Sequence, residues 1–394
     1  MHSIKTSRAL FIALLSLALT AVRAAPDVSF GQVEMQSEPS APAVPAVPGD
    51  IDAPDAAPAG AQAGKRGEWV IAPLPSRSPL IGWSIALPVL YLYRPPGADP
   101  DDDVWMTGVA GLASENDSWG VGAFHRMSIG GDRWRIQAGA FNADIAYDFY
   151  GIGGDGSSIG IPIFQPTKMA TGEVLREVAP KLYVGLSTTR ISTEIGLDIA
   201  EDLLPPGIVL PTVDLDLATV APTIEYDTRD STFYPTEGIH AEAKVALGRD
   251  ALGSDVDYEK YAATLNHYRS LSERSVLASR AAIEYAAGDA PFFMYPAFGS
   301  GADLRGYQTG TYRDRFLLAV QAEYRRKVTE RIGAVAFAGI GTVAPEFGKW
   351  GKSLSSIGTG LRYTLGRQNT INLRIDVARG RDETVWYVGL REAF

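Results

Sequence analysis

Outside the first 24 residues the chain has three histidines, His125, His240 and His267. Histidine-assisted nucleophilic or metal chemistry needs a serine, cysteine or second ligand at a suitable spacing, and none of the three has such a neighbour. There is no phosphate-binding loop and no cysteine. The sequence therefore implies no enzyme and no cofactor. What remains is charge. Arg305 stands among glycines in FGSGADLRGYQTGTYRDR, residues 298–315. After it come Glu323, Arg325, Arg362, Arg374 and Asp376, alternating with apolar residues. An enclosed guanidinium needs a carboxylate, or its desolvation is uncompensated. The available chemistry is the holding of a loop by ion pairs.

The elements that carry these charges read as strands. In residues 371–378, Ile371, Leu373, Ile375 and Val377 form one set, and Asn372, Arg374, Asp376 and Ala378 the other. A strand sends such sets to opposite faces. The same alternation separates Leu318, Val320, Ala322 and Tyr324 from Leu317, Ala319, Gln321, Glu323 and Arg325. It also separates Leu277, Ala281 and Ile283 from Val276, Ala278, Arg280 and Glu284. One face is apolar and the other carries charges of both signs, which describes a transmembrane antiparallel β-barrel with lipid outside and a polar lumen. Turn signals divide residues 67–394 into about sixteen strands, with about fourteen as the alternative even count. The first is expected over 68–76 and the last over 383–394. Long connections at 201–215 and 289–313 belong outside, and short ones on the periplasmic side. Tryptophans 69, 83, 105, 119, 134, 350 and 386 fall near strand ends, as interfacial girdles do.

Composition agrees. No apolar run reaches the ~20 residues of a spanning helix, and a net charge of −10 with a pI near 5.0 excludes a general nucleic-acid binder. Residues 1–24 read as a signal peptide: Lys5 and Arg8, an apolar core from Ala9 to Ala21, and a small-residue site ending at Ala24. Residues 25–66 are Ala/Pro-rich and acidic, a composition expected to stay disordered in the periplasm.

Leu304-Arg305-Gly306-Tyr307 is similar to the [V/L]-R-G-[F/Y] motif of the BamA/TamA superfamily, the bacterial surface antigen family. Asp227-Thr228-Arg229-Asp230 with Tyr234-Pro235 and Gly238, and Gly358 to Tyr363 followed by Arg374 to Ala378, resemble further motifs in the family's order, and together they span roughly residues 67–394. The resemblance implies that the long loop between the eleventh and twelfth strands folds into the lumen. It implies that Arg305 meets a glutamate on the twelfth strand, which Glu323 fits. The second family anchor is the Asp of F-x-D-x-G. Here Phe337-Ala338-Gly339-Ile340-Gly341 has Gly339 at that place, so Asp376 is the candidate substitute, and Gly339→Asp is expected to strengthen anchoring. Residues 25–66 hold no POTRA domain, which places the chain in a branch without them.

The implied location is integral to a Gram-negative outer membrane. The implied partners are outer-membrane lipids and lipopolysaccharide, the barrel-assembly machinery during biogenesis, and an unfolded outer-membrane or secreted client. The implied role is protein insertion or translocation, or lipid handling; the alternative is a passive pore or structural barrel. The terminal WYVGLREAF resembles the signal read by the assembly machinery, with Trp386, Val388, Leu390 and Phe394 on one face and Glu392 at the periplasmic interface. Pro73, Pro75 and Pro79 lack the N–H that a ladder needs. The first strand is therefore a poor partner for the last, either as a lateral seam or because it is mostly linker.

Overall fold

The computed structural model describes residues 67–78, 81–98, 104–153, 160–198, 210–299, 303–365 and 371–394. The expected signal peptide and the 25–66 segment lie outside the described residues, as do Pro79, Ser300 and Gly301. The strands are β1 (Gly67–Ile71), β2 (Leu74–Ser78), β3 (Gly82–Tyr93), β4 (Trp105–Ser114), β5 (Trp119–Ile129), β6 (Trp134–Phe149), β7 (Ile161–Ala179), β8 (Leu182–Leu197) and β9 (Val213–Asp227). They continue as β10 (Gly238–Gly248), β11 (Tyr258–Ser272), β12 (Ser275–Gly288), β13 (Phe316–Lys327), β14 (Ile332–Ala344), β15 (Leu354–Leu365), β16 (Ile371–Arg379) and β17 (Thr384–Leu390). All seventeen belong to one sheet. From β2 to β17 each is antiparallel to its sequence neighbour, and β17 returns to border β2.

Four expectations are corrected. The strand expected over 68–76 is two segments. β1 and β2 both pair with β3 but break at Ala72-Pro73, where the proline ring removes the ladder donor. Counted as one interrupted strand, they reduce the seventeen segments to sixteen wall positions. Second, β9 begins at Val213, inside the stretch expected to be loop, because Val213-Asp214-Leu215 continues the ladder with β8. Third, the lumen is not polar throughout. The inner set of β3 and β4 is Ala86, Leu90, Leu92, Met106, Ala110 and Leu112, all buried, while Ile85, Leu87 and Val109 face out. Those inner residues, apart from Ala110, join Ile145, Tyr147 and Ile163 in an apolar cluster.

The fourth correction concerns the chain end. β17 stops at Leu390, and Arg391 takes a left-handed φ of 70°. That reversal carries Glu392 and Phe394 off the outer face. Glu392 is buried against Arg362, not at an interface, and Phe394 faces Arg325 at 5.7 Å.

Elsewhere the alternation is kept. Val320, Ile340, Ile357, Leu361 and Trp386 are exposed, while Gln321, Glu323, Arg325, Arg362 and Asp376 are buried. Near the β1–β3–β4 end an aromatic row, Trp69–Tyr91–Tyr93–Trp105, steps along neighbouring strands with centroids 4.7, 5.0 and 6.0 Å apart. Amphipathic rings gathered at one level suit a membrane–water boundary.

Candidate functional site: an arginine-anchored loop inside the barrel

The segment between β12 and β13 turns inward. Its apolar residues fall into two clusters on the inner wall. Phe293, Met294 and Tyr295 pack with Tyr258, Ile191 and Leu217, and Phe298, Leu304, Tyr307 and Tyr312 pack with Leu317, Val343 and Leu354. This burial brings the motif to the wall, and polar contacts then fix its register. Gln321 donates to the Asp303 carbonyl, and Ser356 to the Arg305 carbonyl. The Tyr307 hydroxyl donates to the Ser355 carbonyl at 2.6 Å, and the Tyr387 hydroxyl to the Tyr307 carbonyl at 3.0 Å. The Gly306 N–H donates to Tyr387 at 2.9 Å, and the Gln308 N–H to Glu383 at 3.0 Å. Glu383, in the turn before β17, has its carboxyl raised above the usual range by burial.

Arg305 is fully buried and reaches two carboxylates. Nη2 donates to Glu323 at 2.6 Å and Nη1 to Asp376 at 2.7 Å. Its guanidinium lies 3.4 Å from the Phe337 ring centroid, a cation–π stack beneath the ion pairs. Charge-assisted bonds of this length, out of water, are strong and directional.

Glycines on β15 explain why the geometry fits. A Cβ at Gly360 would lie 1.8 Å from an Asp376 carboxylate oxygen, and one at Gly358 would lie 2.3 Å from the Phe337 ring. Gly-x-Gly therefore makes room for both the second carboxylate and the aromatic floor. Gly306 has a φ of 107°, and a Cβ there would lie 2.8 Å from the Gly380 nitrogen, so loop tip and β16–β17 turn touch backbone to backbone. Gly339 is also filled space. A Cβ would meet Gln321 at 2.6 Å, Leu304 at 2.7 Å and the Val320 carbonyl at 2.9 Å. The expectation that Gly339→Asp strengthens anchoring is reversed, because the motif leucine occupies that volume.

The ion pairs continue beyond the loop. Glu323 also takes Arg325 at 2.7 Å, and Asp376 takes Arg362 at 2.5 Å. Arg362 reaches Glu392 at 2.5 Å, Asn372 donates to Glu392 at 2.7 Å, and Arg325 donates to the Phe394 main-chain oxygen. Arg305, Arg325 and Arg362 thus interleave with Glu323, Asp376 and Glu392 in one buried network. It links the loop tip to the segment after β17.

A second cluster was not singled out by sequence reasoning. Arg135 on β6 contacts Asp132 at 2.6 Å, Glu225 at 2.5 Å, and Asp227. Tyr183 stacks on it at 4.0 Å, and His240 meets Glu225 at 3.2 Å. Glu225, Asp227 and His240 offer three potential metal ligands within 4.8 Å, but the Arg135 guanidinium already lies on both carboxylates and is the cation of that site. Asp227 carried a sequence signal through its D-T-R-D setting, and Glu225 shares its strand face. His125 bonds Thr107 at 2.9 Å, and His267 is exposed on β11.

Of the seam residues, Pro73 lies in the β1–β2 break and Pro75 opposes Ile85 in the β2–β3 ladder. β2 and β17 share the smallest boundary of any adjacent pair, five residues against seven.

Among the solved structures that share this fold are a BamA and two CdiB proteins. BamA from Haemophilus ducreyi lacking POTRA domains 1–3 matches with a TM-score of 0.56 at 14% identity, over 83% of this chain and 70% of that one. CdiB from Escherichia coli gives 0.58 at 11% over 86% and 66%, and CdiB from Acinetobacter baumannii 0.53 at 12% over 84% and 60%. The chain thus spans roughly two thirds of the length of these structures. No curated protein matches the sequence. A family model described as the Omp85 superfamily domain matches residues 129–383, which include β6 to β16, the inward loop, the Arg135 cluster and the Arg305 network as far as Asp376. The chain belongs to the Omp85 superfamily.

Proposed function

We propose that this barrel inserts or translocates protein clients at the bacterial outer membrane, and that the β2–β17 boundary is its lateral exit. The observation that carries the reading is the loop tip held across the lumen by Arg305. A passive pore gains nothing from a buried arginine, two carboxylates and two apolar clusters placed in its own path. The similarity to BamA and CdiB supports an outer-membrane setting with polypeptide clients, lipid and lipopolysaccharide around the barrel, and assembly by the barrel-assembly machinery. With the lumen occupied, an extended client could leave only where the wall is weakly joined. A five-residue strand beside a seven-residue one is the least extensive joint in the wall.

The test uses a chain that has no cysteine. Pairs of cysteines, one in 74–78 and one in 384–390, are crosslinked in cells, and the outer-membrane proteome is compared with that of a deletion strain. Crosslinked cells should lose the same proteins as the deletion. A proteome that survives crosslinking means the seam does not open. Single-channel recording separates the competing passive-pore reading: steady, large, ohmic openings from the wild type would establish it, whereas an occluded barrel gives small, flickering currents.

A further inference from the structure

Arg313 lies on the returning limb of the inward loop, outside the Arg305 network. Its carbonyl accepts from the Gly153 N–H at 2.7 Å, and it forms isolated bridges with Gly153 and Ala297. The side chain is 4% exposed, yet its Nε and Nη1 have no hydrogen-bond partner. No carboxylate among the described residues pairs with it. Burial depresses its basicity, and the one titratable group that offsets this is the phenol of Tyr147. Tyr147 in turn donates to Gln165 Oε1 at 2.8 Å. Gln165 is fully buried, and its Nε2 is another donor without an acceptor. Buried polar groups are nearly always satisfied, and a buried guanidinium without a counter-charge is costly. Here the unmet groups are all donors, two on the cationic Arg313 and one on the Gln165 amide that Tyr147 bonds.

We propose that Arg313, Gln165 and Tyr147 form a binding site for a small free oxyanion of the phosphate or carboxylate type. The chemistry follows from the donor set. N–H groups repel metal cations and donate to oxygens, and an oxyanion supplies several acceptor lone pairs as well as the missing negative charge. The near-complete burial of Arg313 and Gln165 excludes a headgroup that carries acyl chains. Glycines flank the arginine: a Cβ at Gly310 would lie 3.2 Å from Nη2, and one at Gly153 would meet nothing within 4 Å. A bound anion would tie the returning limb to β6 and β7, giving the loop a second anchor remote from Arg305 in sequence. The inference does not depend on the client-handling role.

The experiment is thermal unfolding of the full chain in detergent, titrated with inorganic phosphate at constant ionic strength held by a bulky sulfonate. Acetate is the second probe. Wild type should show a saturable rise of about 3 °C. Arg313→Met, which removes the charge and keeps an apolar stem, should show none. Gln165→Leu should shift the half-saturating phosphate concentration upward several-fold, and it keeps the test valid if Arg313→Met does not fold. A flat wild-type titration overturns the proposal. So does an equal rise in Arg313→Met, or an unchanged midpoint in Gln165→Leu.

Discussion

At the scale of single residues, Arg305 is held by redundancy. Glu323 and Asp376 each keep another arginine when Arg305 is removed, so Arg305→Ala leaves neither carboxylate bare. The loss should fall at or below the ~3–5 kcal/mol of a broken buried pair, and it should fall on the loop before the barrel. The expected readout is cleavage at 303–313 by protease added outside intact cells, with strands still protected. Full resistance would mean that the apolar clusters alone seat the loop. Gly339→Asp has the opposite sign from the family pattern. The side chain enters volume held by Leu304 and Gln321, so the unfolding temperature in detergent should drop, by the equivalent of about 1–3 kcal/mol of overpacking or more. An unchanged midpoint would show that Leu304 can retreat. Part of this site was legible in the sequence. Strand parity puts Glu323 and Asp376 on the lumen side, and the loop motif singles out Arg305. The occupancy of Gly339 was not legible, since only packing reveals which side chain fills a missing Cβ. Arg135 is separated from Glu225 and Asp227 by some ninety residues, with no shared spacing rule.

At the scale of elements, period-two alternation made the wall readable from β5 onward, because one face meets an apolar surround and the other meets charge. In β3 and β4 both faces are largely apolar, so alternation marks the strands but no polar lumen face, and at the ends a proline or one left-handed residue decides. Neither the Ala72-Pro73 break nor the turn at Arg391 has a periodic signature. The turn has a mechanical consequence for β17. Glu392 fastens the segment after β17 to Arg362 and Asn372, and Arg362 is fastened to Asp376 beside the loop tip. Glu392→Gln should weaken both attachments. Amide hydrogen exchange over 384–390 should speed up by about tenfold, the equivalent of ~1.4 kcal/mol, with a smaller increase over 303–308. Acceleration confined to 384–390 would show that strand end and loop are independent.

At the scale of the whole molecule, the wall is uneven. β7 has 19 residues and β6 and β8 have 16 each, while β2 has five and β17 seven. At ~3.4 Å per residue and a tilt near 40°, β17 rises about 18 Å along the barrel axis, and β7 about 50 Å. The apolar band of such barrels is about 25 Å tall. The tall side projects beyond the membrane, and the low side cannot match it. Lipids beside β2 and β17 must therefore shorten or tilt, so the bilayer carries a local hydrophobic mismatch on one flank of the protein and none on the other. That strain is relieved in a thin membrane. Unassisted folding into phosphatidylcholine vesicles should accelerate steeply as acyl chains shorten. Replacing residues 384–390 with a longer alternating strand should flatten the dependence. A rate indifferent to chain length would mean that the low flank is covered by protein.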